Sequence, residues 1–230
     1  METLFKEEKS GIALFREQLT ELIHARSPLI FLGAIEVKRS LEEIRAVCSE
    51  LGIDLRIFRL ASGVLDAGRE KINTDPIGIL DMILNQSTKA TLESRHTIWA
   101  LPFFHLFLRQ PEALIVSKLR AIVEFSKFMH TVIMTGTPDF SFPPELSDVP
   151  TIYLPLPNRQ EIRDLLDFPI SDEEKREIEK SLLGFRMNEI EELIALSLVR
   201  QGRLDSETIK CLRNELVKKR ANDCLEISFP

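Results

Sequence analysis

The sequence is short of the residues that build several common functional devices, and each shortage removes a class. It has three cysteines in 230 residues. Cys48, Cys211 and Cys224 stand far apart and form no Cys-x-x-Cys, so neither a zinc site nor a disulfide framework is expected, and no metal is assigned. Such usage points to a reducing, cytoplasmic setting. Met1 to Ser10 mixes acids with lysines and has no apolar core, so no signal peptide is read there. The longest apolar stretch, Thr97 to Leu108, is too short to span a bilayer and contains Pro102 and His105. A basic surplus is missing too: 30 Lys and Arg face 36 Asp and Glu, a net charge of -6. That balance gives no general reason to expect nucleic acid or an anionic membrane as partner. There is no Gly-x-Ser-x-Gly, and the four histidines have no triad partners in sequence, which removes a Ser/His/Asp hydrolase.

What is present is enough for a full core. Hydrophobic residues make up 44% and charged residues 29%, ordinary values for a globular chain of one domain plus a small satellite. Residues 3 to 26 carry apolar residues at helical spacing. Pro28 to Ala34 reads as a buried strand, and Val37 to Leu51 as a helix stopped by Gly52. Asp54 to Leu60 alternates as a second strand; Ala61 to Asn73, with Gly63 and Gly68, reads as a loop. Thr74-Asp75-Pro76 starts a helix to about Asn85. His96 to Leu101 is a third strand, Pro111 to Phe128 a helix, Thr131 to Thr135 a fourth strand and Thr151 to Leu154 a short fifth. From Asn158 every element reads as helical, with a Ser171-x-x-Glu174 capping signal and Asp205 or Ser206 capping the last helix.

Strands alternating with helices predict a five-stranded parallel sheet with helices on both faces, in residues 1–157. A small all-α lid follows in 158–230. This is the layout of an AAA+ module, a P-loop NTPase fold whose ligand sits at the carboxyl ends of the strands. The equipment expected there is thin. The first strand–helix junction, Gly33 to Ser40, has one glycine, a carboxylate at Glu36 and Lys38 without a Gly-Lys-Ser/Thr. A phosphate loop needs several successive inward N–H groups, hence several glycines. An ATPase also needs an acid at the end of strand three; Phe103 stands there instead. His105 follows in an aromatic stretch with no carboxylate nearby in sequence.

The order of short words resembles the degenerate N-terminal AAA-like domain of the Ycf46 family of AAA+ proteins. The words are Arg26-Ser27-Pro28-Leu29-Ile30, Glu36-Val37-Lys38-Arg39, Leu101-Pro102-Phe103-Phe104-His105, Pro143-Pro144-Glu145-Leu146 and Leu154-Pro155-Leu156-Pro157. The likeness runs from about residue 20 to 215. It implies a P-loop-lacking AAA+ module in which Gly33, Glu36, Lys38, Phe103, Thr135 and Arg186 hold the positions of a nucleotide site. Arg186 would correspond to a sensor arginine of the lid, and Arg109 or Arg120, with Arg95, to a finger offered to a neighbouring subunit. Members carry a second, complete AAA+ module after this domain, and none follows within these 230 residues. The expected role is a non-catalytic interaction or assembly subunit, without cofactor, for another copy or for an active AAA+ ATPase. The alternatives are a δ-like clamp-loader subunit in DNA replication and a divergent weak ATPase.

Overall fold

The computed structural model describes residues 10–67, 70–88, 95–110, 112–126 and 129–226. They form two compact units, residues 13–154 and residues 10–12 with 155–226.

The first unit is built on a sheet of seven strands. These are β1 (Leu29–Gly33), β2 (Asp54–Arg59), β3 (Val64–Ala67), β4 (Glu70–Asn73), β5 (Thr97–Pro102), β6 (His130–Gly136) and β7 (Thr151–Tyr153), in the order β4-β3-β2-β5-β6-β1-β7. The five strands β2-β5-β6-β1-β7 are parallel, as expected. The stretch 61–73 is not a loop: β3 and β4 form an antiparallel hairpin that extends the sheet beyond β2. Its glycines hid it, because glycine at 63 and 68 reads as punctuation while pairing to β2 supplies the order.

Helices α1 (Gly11–His24), α2 (Val37–Leu51), α3 (Pro76–Thr88) and α4 (Ala113–Phe125) flank the sheet. Of the sequence-predicted ranges for α1 and α4, residues 3–9, 111 and 127–128 lie outside the described residues. Successive strand side chains point to opposite faces. One parity, Phe31, Phe58, Trp99, Leu101, Val132 and Met134, packs in a single cluster with Ile79, Leu80 and Ile83 of α3 and Leu119 and Ile122 of α4. The other parity, Ile30, Leu32, Ile57, Ile98 and Ile133, is equally buried. On α2, which packs against β2 and β5, the buried stripe is Leu41, Ile44 and Val47. Arg16 of α1 donates to Glu43 of α2 at 2.6 Å.

The second unit is helical: α5 (Arg159–Leu165), α6 (Asp172–Leu182), α7 (Met187–Gln201) and α8 (Ser206–Glu226) around Ile162, Ile178, Leu182, Phe185, Ile190 and Leu212. Local chemistry sets its helix starts. Asn158 and Glu161 cap α5 reciprocally, at 3.0 and 2.9 Å. Ser171 accepts from the Glu174 N–H at 3.2 Å, and Asp205 from the Thr208 N–H at 2.8 Å. Among the described residues no helix is long and apolar enough to cross a membrane.

Candidate functional site

From β1 the chain crosses to β2 on one side, while β7 lies on the other; the reversal opens a crevice outside the carboxyl ends of β1 and β6. The register brings three predicted positions to it. Gly33 pairs with Gly136 and with Tyr153, Leu32 pairs with Thr135, and Pro102 pairs with Thr135. Phe103, Gly136, Gly33 and Tyr153 therefore follow one another across the edge of the sheet.

The turn at β1 is short. Only Ala34, Ile35 and Glu36 separate the strand from α2, and the Ala34 N–H is spent on the Gly136 carbonyl at 2.7 Å. Gly33 is not among the positive-φ glycines, and no other residue of the turn is left-handed. A concave nest of N–H groups requires such alternation. Glu36 ends the turn with its side chain 9% exposed, 3.8 Å from the Arg39 guanidinium. Its carboxylate is thus tucked against α2. Lys38 is exposed on the first turn of that helix.

Two rings lie against the glycines that end β1 and β6. A Cβ at Gly33 would lie 2.6 Å from the Tyr153 ring, and one at Gly136 would lie 2.5 Å from the His105 ring. Glycine is needed at both places for close approach rather than for backbone freedom. His105, in the 3-10 segment Phe104–Leu108, is 1% exposed, and Phe140 meets it edge-on at 5.3 Å. Burial lowers its pKa, the Thr135 backbone raises it, and Arg109 lowers it again; the net shift is downward. The Thr135 backbone favours the charged ring at a distance but falls outside hydrogen-bonding geometry, since neither ring nitrogen has a partner. The imidazole is therefore neutral near pH 7.

At the end of β5, Phe103 holds φ 60°, a left-handed conformation costly for a bulky residue, and its side chain is 43% exposed. Its N–H donates to Thr135 Oγ1 at 3.4 Å, so the buried threonine hydroxyl is engaged with the backbone. Arg109 is exposed within electrostatic reach of His105. Arg120 is held by both oxygens of Asp148, at 2.9 and 3.1 Å. Arg186 belongs to the helical unit, where it precedes α7. Its N–H donates to Glu189 at 2.9 Å, and Glu189 also accepts from Arg220. Burial pulls the Glu189 carboxyl upward, but these bonds outweigh it and hold the group below its ordinary range. Among the described residues there is no cluster of three or more metal-ligating side chains. Tyr153 and the ring-filling role of His105 were not predicted: strand register alone sets Tyr153 against Gly33.

A family model described as SpoVK-like AAA ATPase, N-terminal domain, matches residues 15–154. No curated protein matches the sequence. Solved structures share the fold at low identity. A chain of the E. coli HORMA:CdnC:Trip13 complex superposes with a TM-score of 0.62 at 14% identity, covering 89% of this chain and 88% of that one. C. elegans PCH-2 gives 0.55 at 11%, covering 94% and 71%. Thermotoga maritima RuvB gives 0.53 at 15%, covering 89% and 67%.

Proposed function

The chain belongs to the family of SpoVK-like AAA ATPase N-terminal domains, and from that premise we propose that it is a P-loop-lacking, non-catalytic AAA+ module of the Ycf46 type. It acts as an interaction or assembly subunit, for another copy or for an active AAA+ ATPase, and takes no nucleotide. The observation that carries this reading is the packing on the two strand-end glycines: the Tyr153 ring lies against Gly33 and the His105 ring against Gly136, where phosphates would need open backbone. The three-residue turn and the apolar Phe103 support it independently, since one concerns phosphate binding and the other the Mg²⁺ ligand. A fold of this kind also works among protein partners, as in the HORMA:CdnC:Trip13 complex.

Thermal melting with and without Mg-ATP tests the proposal. A ligand present at about 100 times its Kd stabilises by about 2.7 kcal/mol. For a chain of this size that is a rise of roughly 5–10 °C. The expected result is no rise at millimolar Mg-ATP; a saturable rise of several degrees overturns the reading.

A further inference from the structure

We propose that the cleft between α5 and α6 is a docking site for the carboxylates of an acidic segment on a protein partner. The inference deepens the reading above and rests on it only for the expectation of a protein partner. The cleft, of about 220 Å³, is lined by Arg163, Asp172, Lys175, Arg176 and Glu179. Glu179 lies at its base, 4% exposed. Arg163 donates to one of its oxygens from Nε at 3.2 Å and from Nη2 at 2.8 Å, and Arg159 stands 3.9 Å from the other. Neither bond from Arg163 uses Nη1, and the two arginine side chains remain 55% and 67% exposed. The buried carboxylate thus orients two guanidinium forks whose outer edges still face solvent.

Lys175 and Arg176 add two cations that, among the described residues, enter no ion pair. Within the lining three cations, Arg163, Lys175 and Arg176, meet two carboxylates, Glu179 and Asp172, and Arg159 stands beside Glu179. With Glu173 and Glu174 also in the first turn of α6, the positive surplus is local to the cleft on a chain of net charge -6. A patch opposite in sign to the whole protein steers and orients a complementary partner. Arginine forks match carboxylates in geometry. Asp172 and Glu179 oppose a compact dianion such as phosphate more than single carboxylates spaced along a peptide.

The test is the fluorescence anisotropy of a labelled hexaglutamate peptide titrated with the whole chain at about 50 mM salt, where screening is weak. Saturable binding is expected. Lys175→Gln with Arg176→Gln weakens it by about 10-fold or more. Lys218→Gln with Lys219→Gln, the same charge change on α8, alters it by less than about twofold. Arg176, Lys218 and Lys219 are exposed and Lys175 is half-buried, and unchanged melting temperatures confirm that the variants fold. Absence of saturable binding, or equal loss in the two variants, overturns the proposal. So does displacement of the peptide by inorganic phosphate at concentrations no higher than those at which free glutamate displaces it, since the cleft would then be a general oxyanion site. Failure of the peptide to bind leaves the nucleotide reading untouched. Conversely, a Mg-ATP melting shift that disappears in Lys175→Gln/Arg176→Gln puts ATP in this cleft. That outcome sinks the docking proposal and the claim that the chain takes no nucleotide, but places the nucleotide away from the carboxyl edge of the sheet.

Discussion

Acidification weakens the α/β unit through His130. This residue opens β6, is 4% exposed, and has no hydrogen-bond partner on either ring nitrogen. Its ring meets Trp99 edge-on at 6.0 Å, and the Arg56 guanidinium lies 5.1 Å over the same indole. Burial first, and the Arg56 charge second, push its pKa from 6.5 to about 4. A group whose folded pKa lies below its unfolded one leaves the unfolded chain binding more protons in between. The stability it sustains is complete above the unfolded value and is lost as the pH falls from 6.5 toward about 4. Linkage over that gap makes the loss about 2 kcal/mol between about pH 8 and pH 5, and about 3 kcal/mol at full protonation. Urea unfolding at several pH values measures it in the wild type and in His130→Leu. Leucine has a similar volume and cannot titrate, and removing both unpaired nitrogens keeps the variant within about 1 kcal/mol of wild type near pH 8. His105 titrates in the same direction in both proteins, so the difference between the two curves isolates His130. Parallel loss of stability in the two proteins refutes the argument.

Three further outcomes are expected. Gly136→Ala costs about 1–3 kcal/mol in urea unfolding, because its Cβ meets a buried imidazole that has nowhere to go. Gly33→Ala costs less, because the half-exposed Tyr153 ring can turn toward solvent, and the reverse order contradicts the packing. Phe103→Asp folds, since aspartate tolerates left-handed backbone, yet coupled-enzyme assays detect no ATP hydrolysis; turnover in that variant would mean that phosphate binding survives. Iodoacetamide on the native protein, read by mass spectrometry, modifies the exposed Cys211 and spares Cys48. Burial, with Asp54 nearby, pushes the Cys48 thiol up to about 12. Equal labelling of the two contradicts the buried placement.

The parallel sheet and its flanking helices were legible because their signals are local. Strands such as 97–101 and 131–135 are continuous apolar runs, and Asn158, Ser171 and Asp205 announce helix starts in their own chemistry. The β3–β4 hairpin was not legible, because its order comes from pairing to β2 and its glycines resemble a loop. At the site, the shortage of glycine after β1 and the absence of an acid after β5 could be read directly. What fills the crevice could not. Tyr153 meets Gly33, and His105 meets Gly136, through strand order and register, which bring together residues more than 30 positions apart in one case and more than 100 in the other. Glu36 shows the same limit. In sequence it is a carboxylate at the mouth of a phosphate site; in the fold it is tucked against Arg39.

Amide NMR during a Mg-ATP titration tests whether the carboxyl edge of the sheet, where rings lie against Gly33 and Gly136, takes nucleotide. The amides of Gly33, Ala34, Phe103 and Gly136 are expected not to move up to millimolar nucleotide. Saturable shifts at those four residues, with a submillimolar midpoint, would contradict that expectation.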